Sequence, residues 1–139
     1  MGKIRFFSDE IPFSVPKPRK TQSWITNVVT REGKSVTSIN FIFCSDSYLA
    51  DINQRYLKHN TLTDIITFDY SEPETIAGDI YISVERVSEN AEKFGQPFET
   101  ELYRVMIHGV LHLLGYKDKT PQQKQQMRRK EDTCLSLYS

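Results

Sequence analysis

Apolar positions along the chain recur with two periods, and the change from one to the other marks out the elements. Lys3–Phe7 and Val36–Cys44 are short runs rich in β-branched and aromatic residues, with Val36, Ile39, Phe41, Ile42 and Phe43 in the second, and both read as strands. Between them, after Pro12, Pro16 and Pro18, residues Trp24, Val28 and Val29 recur at helical spacing over about Lys20–Arg31, and Gly33 offers a stop. Asp46 is placed to cap a helix carrying Leu49, Ile52, Tyr56 and Leu57. A polar loop, His59–Thr63, leads to strands at Asp64–Tyr70 and Asp79–Ser83, whose short link suits an antiparallel pair. Ser83 can cap a helix facing inward through Val84, Val87, Ala91 and Phe94 and closed by Gly95.

From about Thr100 to Leu114 the chain is apolar almost all round, which predicts a buried helix rather than a surface one. Thr120-Pro121-Gln122-Gln123 then supplies an N-cap, a proline at N1 and a glutamine at N3, the start of a last helix. The expected fold is α+β: a single domain over residues 1–139, with about four strands in a mixed sheet and about five helices.

Composition narrows the function classes. With 139 residues, 38% of them hydrophobic, there is enough apolar material for one packed core. Lys+Arg 18 against Asp+Glu 18 leaves no net charge, so binding to nucleic acid by global charge is excluded and an acidic partner needs a local basic patch. Cys44 and Cys134 have no ligand-type cysteine nearby and read as reduced thiols. The first residues hold no apolar run of signal-peptide length before Asp9, Glu10 and Pro12, and nowhere do 18 apolar residues follow one another. The expectation is a cytoplasmic protein with no membrane contact.

The candidate chemistry lies on the buried helix. His108 and His112 are four residues apart, about 40° around a helical axis, so both imidazoles project from one face. Two nitrogens at that spacing can share an ion. Gly115 lets the chain turn just beyond the helix and Asp118 follows, which would give three ligands and an open fourth position. A core histidine satisfied by a backbone carbonyl is the competing reading, and spacing alone leaves both standing. Gly109, mid-helix, costs about 1 kcal/mol against alanine, which implies a close approach to the backbone there.

The stretch His108-Gly109-Val110-Leu111-His112-Leu113-Leu114-Gly115-Tyr116 resembles the signature of the YbeY family, H-G-x-L-H-L-x-G-Y-D-H. Thr63-Asp64-Ile65-Ile66-Thr67-Phe68 is similar to its T-D/N-V-L-S-F strand, Gly78-Asp79-Ile80-Tyr81-Ile82-Ser83 to its G-D-I-x-I strand, and Met127 and Glu131 to the Met and Glu of its closing helix. The resemblance covers roughly Ser45 to Leu135. It implies a metal-dependent, single-strand-specific endoribonuclease of 16S rRNA 3'-end maturation and ribosome quality control. It further implies one Zn2+ per chain on His108, His112 and Asp118, and ribosomal RNA and the ribosome as partners.

Two departures from the family pattern, and one contrast with zincin proteases, qualify that picture. Asp118 stands where the family usually has a third histidine, which lowers the site's net charge by one and should weaken the ion as a Lewis acid. Leu57 occupies the place of a family arginine; Lys58 is near but lacks the planar fork that grips phosphate, and His59 matches no family ligand. Gly109 replaces the Glu of H-E-x-x-H, which argues against a zincin protease and leaves the general base unnamed. A basic run beginning beside the site, Lys117, Lys119, Lys124 and Arg128 with Arg129 and Lys130, is the candidate RNA surface; Lys17, Arg19 and Lys20 form a second cluster. Tyr116 could stack on a base or cover the helix end. Two rivals remain: a metal-bearing ribosome-assembly factor with little cleavage, and an iron oxygenase, since two His and a carboxylate also make a facial triad.

Overall fold

The computed structural model describes residues 3–57 and 63–138. Their period-two runs form one four-stranded sheet in the order β1-β2-β4-β3. Strand β1 (Ile4–Asp9) lies parallel to β2 (Ser35–Cys44), and β2 lies parallel to β4 (Thr75–Ser83). The edge strand β3 (Ile65–Asp69) runs antiparallel to β4, as the short link implied. The five helices among the described residues are α1 (Pro18–Arg31), α2 (Asp46–Ile52), α3 (Val84–Lys93), α4 (Phe98–Leu113) and α5 (Pro121–Ser136), and α2 runs on into a π-helical turn over Asn53–Leu57. The expected mixed sheet with five helices is therefore observed.

Alternation in the central strands buries Ile39, Phe41 and Phe43 of β2 with Ile76, Ile80 and Ile82 of β4. They cluster with Trp24, Val28 and Val29 of α1 and with Leu102, Met106, Ile107 and Leu111 of α4. Each such side chain contributes roughly 1.5–3 kcal/mol relative to leaving it exposed. The opposite face is covered in part by α2, where Leu49 and Ile52 meet Cys44 and Ile66. Both cysteines are free and buried. Among the described residues no helix is long and apolar enough to cross a membrane.

Local details correct some expectations. Ser45, not Asp46, caps α2: its side chain accepts from the Tyr48 N–H at 3.1 Å. Asp46 is instead held by the Arg86 guanidinium at 2.8 Å and by the Ser83 hydroxyl. Phe94 does not face inward. Helix α3 ends one residue before it, and the ring is 56% exposed with Lys93 Nζ 5.7 Å from its centroid. Helix α1 starts two residues early at Pro18, and β4 starts at Thr75, inside the expected link between the last two strands. The last helix opens as its sequence requires, with Thr120 and Gln123 in a reciprocal capping box.

Candidate metal centre and its cleft

Two glycines seat α4 on the sheet. A Cβ on Gly109 would stand 3.0 Å from Ile65 Cδ1 and from Cδ1 and Cγ2 of Ile80, so the close approach implied by a mid-helix glycine comes from β3 and β4. A Cβ on Gly78 of β4 would stand 2.6 Å from the Phe68 carbonyl oxygen and 2.7 Å from Leu113 Cδ2. With these contacts made, His108 and His112 emerge beside the edge strand. Gly115 then adopts φ +105, a left-handed conformation that L side chains rarely take, and the chain folds back over the helix end, with the Tyr116 N–H bonded to the Leu111 carbonyl at 3.0 Å. Gln123 Oε1 accepts from the N–H groups of Lys119 and Thr120, which fixes the segment just after Asp118.

These constraints bring the three residues singled out in the sequence together. His108 Nε2 and His112 Nε2 are 3.0 Å apart, and Asp118 Oδ2 lies 3.2 Å from the first and 3.4 Å from the second. Donors held about 2.0–2.1 Å from a tetrahedral ion stand about 3.3 Å from one another. The triangle therefore has the dimensions of a shared ion's ligand set, and the residues fit a metal. They open into a cleft of about 540 Å³, also lined by Asp64, Thr67 and Asp69.

The outer nitrogen of His108 has a dedicated partner. Glu131 Oε2 accepts from Nδ1–H at 2.5 Å, and Glu131 Oε1 accepts from Arg104 Nη1 at 2.9 Å. Arg104 also reaches Asp132 at 2.6 Å. Glu131 is only 6% exposed, so its charge depends on this pair of partners. Sequence reasoning placed Glu131 in the closing helix but gave it no role. The available signal was its place on the buried stripe Met127, Glu131, Cys134 of α5, where an acid needs a partner. Asp64 was likewise missed: it lines the cleft, and Asn90 Nδ2 donates to its carboxylate at 3.4 Å.

Electrostatics separates the two imidazoles. For His108, burial opposes the charged form, but the hydrogen bond and charge of Glu131, with Asp118 and Asp64 behind them, outweigh it and hold the ring above its ordinary value. His112 is pushed down, first by burial and then by the charge of His108. Burial raises the Asp64 carboxyl. The two rings are thus displaced in opposite directions, His108 toward its charged form and His112 toward its neutral one.

Of the expected RNA surface, Lys117, Lys119, Lys124, Arg128 and Arg129 are exposed. Lys130 is engaged instead with Glu32 at 2.7 Å. Tyr116 donates its hydroxyl to the same Glu32 at 2.9 Å and is partly buried against the core, so of its two readings the structure supports the helix-end cover. Arg55 pairs with Asp51 at 3.0 Å. Lys58 and His59 lie outside the described residues, as does the side chain of Leu57.

Comparison with known proteins follows the same lines. The family model described as Endoribonuclease YbeY matches residues 7–139. Endoribonuclease YbeY of Flavobacterium psychrophilum is 54% identical over 132 residues, 95% of this chain and 94% of the relative. That of Amoebophilus asiaticus is 51% identical over 135 residues, 96% of this chain and 92% of the relative. The solution structure of TM1509 from Thermotoga maritima superposes with a TM-score of 0.69 at 27% identity, covering 97% of this chain and 88% of that one.

Proposed function

This chain belongs to the Endoribonuclease YbeY family, an RNA-cleaving hydrolase like its relatives, and we propose that it is a zinc-dependent, single-strand-specific enzyme of ribosomal RNA maturation. In this reading it acts in the cytoplasm on the 16S rRNA 3' end and in ribosome quality control. The observation that carries the metal reading is the triangle of His108 Nε2, His112 Nε2 and Asp118 Oδ2, with sides of 3.0, 3.2 and 3.4 Å.

A divalent cation held there would supply Lewis-acid polarisation of a phosphate oxygen and a bound water of lowered pKa. The rest is the work of the chain. Glu131, by accepting from Nδ1–H, fixes His108 in the tautomer whose Nε2 lone pair faces the cleft. Arg104 pairs with the other oxygen of Glu131 and holds the carboxylate in place. Asp118 contributes a full negative charge where three neutral imidazoles would contribute none, which favours retention of a dication over maximal acidity of its water. Lys117 and Lys119 flank Asp118 in sequence and are exposed, suited to steer phosphates toward the donors.

The test couples metal content to cleavage. Elemental mass spectrometry of the purified chain should find about one zinc per chain. Cleavage of single-stranded RNA should be abolished by chelator and restored by zinc, and Asp118→Ala should lose both metal and activity. Cleavage by metal-free protein would refute the metal reading. A metal-loaded chain that binds RNA without cutting it would make it an assembly factor.

A further inference from the structure

The other face of β3 carries a second cleft, of about 770 Å³, that the metal centre does not use. Among the described residues β3 pairs with β4 alone, and as an edge strand it sends alternate side chains to two surfaces. Thr67 and Asp69 line the metal cleft, whereas Phe68 and then Tyr70 line the second. Tyr56 and Tyr81 complete an aromatic wall around Phe68, with ring centroids 6.2 and 5.8 Å from it and planes at 87° and 86°. Tyr56 and Tyr70 are 63% and 61% exposed, which a purely structural role would not require.

Charge decides what such a cleft accepts. Glu10, Asp51 and Asp79 line it with Arg55 as the cation among the described residues, and Arg55 is already paired with Asp51. A phosphate would meet excess negative charge. An unpaired nucleobase would not: it is neutral, has two faces for aromatic stacking, and offers N–H donors that carboxylates accept. Guanine presents N1–H and N2–H2 side by side, a donor pair that uracil lacks. Asn40 Nδ2 donates to Asp79 Oδ1 at 3.0 Å and holds that acceptor in place.

We propose that this cleft is a nucleobase subsite, which takes an unpaired guanine from RNA whose backbone crosses the β3 edge into the metal cleft. The inference rests on the endoribonuclease reading and extends it to base preference.

The test uses fluorescein-labelled RNA octamers in chelator, where nothing is cut: all-uridine, and the same with one central guanine. Fluorescence anisotropy should show the wild type binding the guanine octamer at least about fivefold more tightly, the lower end of what a two-donor contact is worth against a base that lacks it. Tyr70→Ala and Asp79→Asn should each erase most of that preference, with circular dichroism and zinc content at the wild-type level showing that fold and metal site survive. Equal affinity for the two octamers, or a preference that survives both substitutions, overturns the subsite. So does loss of binding to a nona-arginine peptide in both variants with RNA binding unchanged, which would make the cleft a dock for a basic protein segment. Failure of the nuclease reading looks different: a zinc-loaded wild type that keeps its guanine preference but cleaves neither octamer.

Discussion

Glu131 on α5 accepts a 2.5 Å hydrogen bond from Nδ1 of His108 on α4, 23 residues earlier in the sequence. The contact ties the closing helix to the donor set, so His108 presents Nε2 to the cleft only while α5 is docked.

Glu131→Gln should therefore weaken zinc binding by about 10- to 100-fold, the usual cost of losing a carboxylate behind a metal-bound imidazole. Competition against a zinc-chelating dye measures it. Unchanged affinity, in a variant whose circular dichroism matches the wild type, would mean that the pair is structural only.

Gly78→Ala should be among the most destabilising single-methyl additions in the chain. Its Cβ would meet the Phe68 carbonyl oxygen at 2.6 Å, a backbone atom that can yield only by separating β3 from β4. Overpacking of this kind costs about 1–3 kcal/mol, and the backbone obstacle puts this site at the upper end. Gly109→Ala meets only side-chain carbons at 3.0 Å and regains up to about 1 kcal/mol of helix propensity, so urea denaturation should find it the milder of the two.

How far the chain's own pattern reaches is clear from particular residues. His108, His112 and Asp118 lie within one helix and its following turn, so periodicity and Gly115 are enough to bring them together. Glu131 is a long-range partner, and its side chain could be assigned only once the α4–α5 packing was known. The confusion of Ser45 with Asp46 as a cap has the same origin, because Asp46 is claimed by Arg86, 40 residues away. Thr75–Ala77 fell within the expected link because it follows Ser71-Glu72-Pro73-Glu74 and holds a single large apolar residue, Ile76, too few to display alternation before Gly78.

The two thiols should respond to alkaline pH through stability rather than reactivity. Burial first, then the charges of Asp9, Glu10 and Asp46, push Cys44 up to about 12, and burial pushes Cys134 up to about 11. In the unfolded chain both ionise near the ordinary value of 9.0. Above that pH the unfolded state binds fewer protons than the native one, so their stabilisation is complete below pH 9 and declines as pH rises toward 11–12. A Cys44→Ala, Cys134→Ala variant should lose less stability between pH 8.5 and 10.5 than the wild type, read by urea midpoints. Native protein should also label slowly with a thiol reagent at pH 8.

Replacing Lys117, Lys119 and Lys124 by alanine should weaken RNA binding about equally for all single-stranded sequences and flatten its salt dependence. With about 0.7 released counterions per phosphate contact, the log–log slope should fall by about 2. Lys130→Ala should leave that slope alone, because its ammonium is committed to Glu32. A slope unaltered by the triple substitution would move the RNA track away from this face.

The seat of Gly109 between the two histidines has one more consequence. The height of both rings above the sheet is set by the thickness of the Ile65 and Ile80 side chains, so the two imidazole corners of the donor triangle inherit the tolerances of a close-packed interior. Trimming a methyl from either isoleucine, with no polar atom touched, would let the helix settle and retune the ion's grip, which makes the hydrocarbon layer a calibrating part of the metal centre.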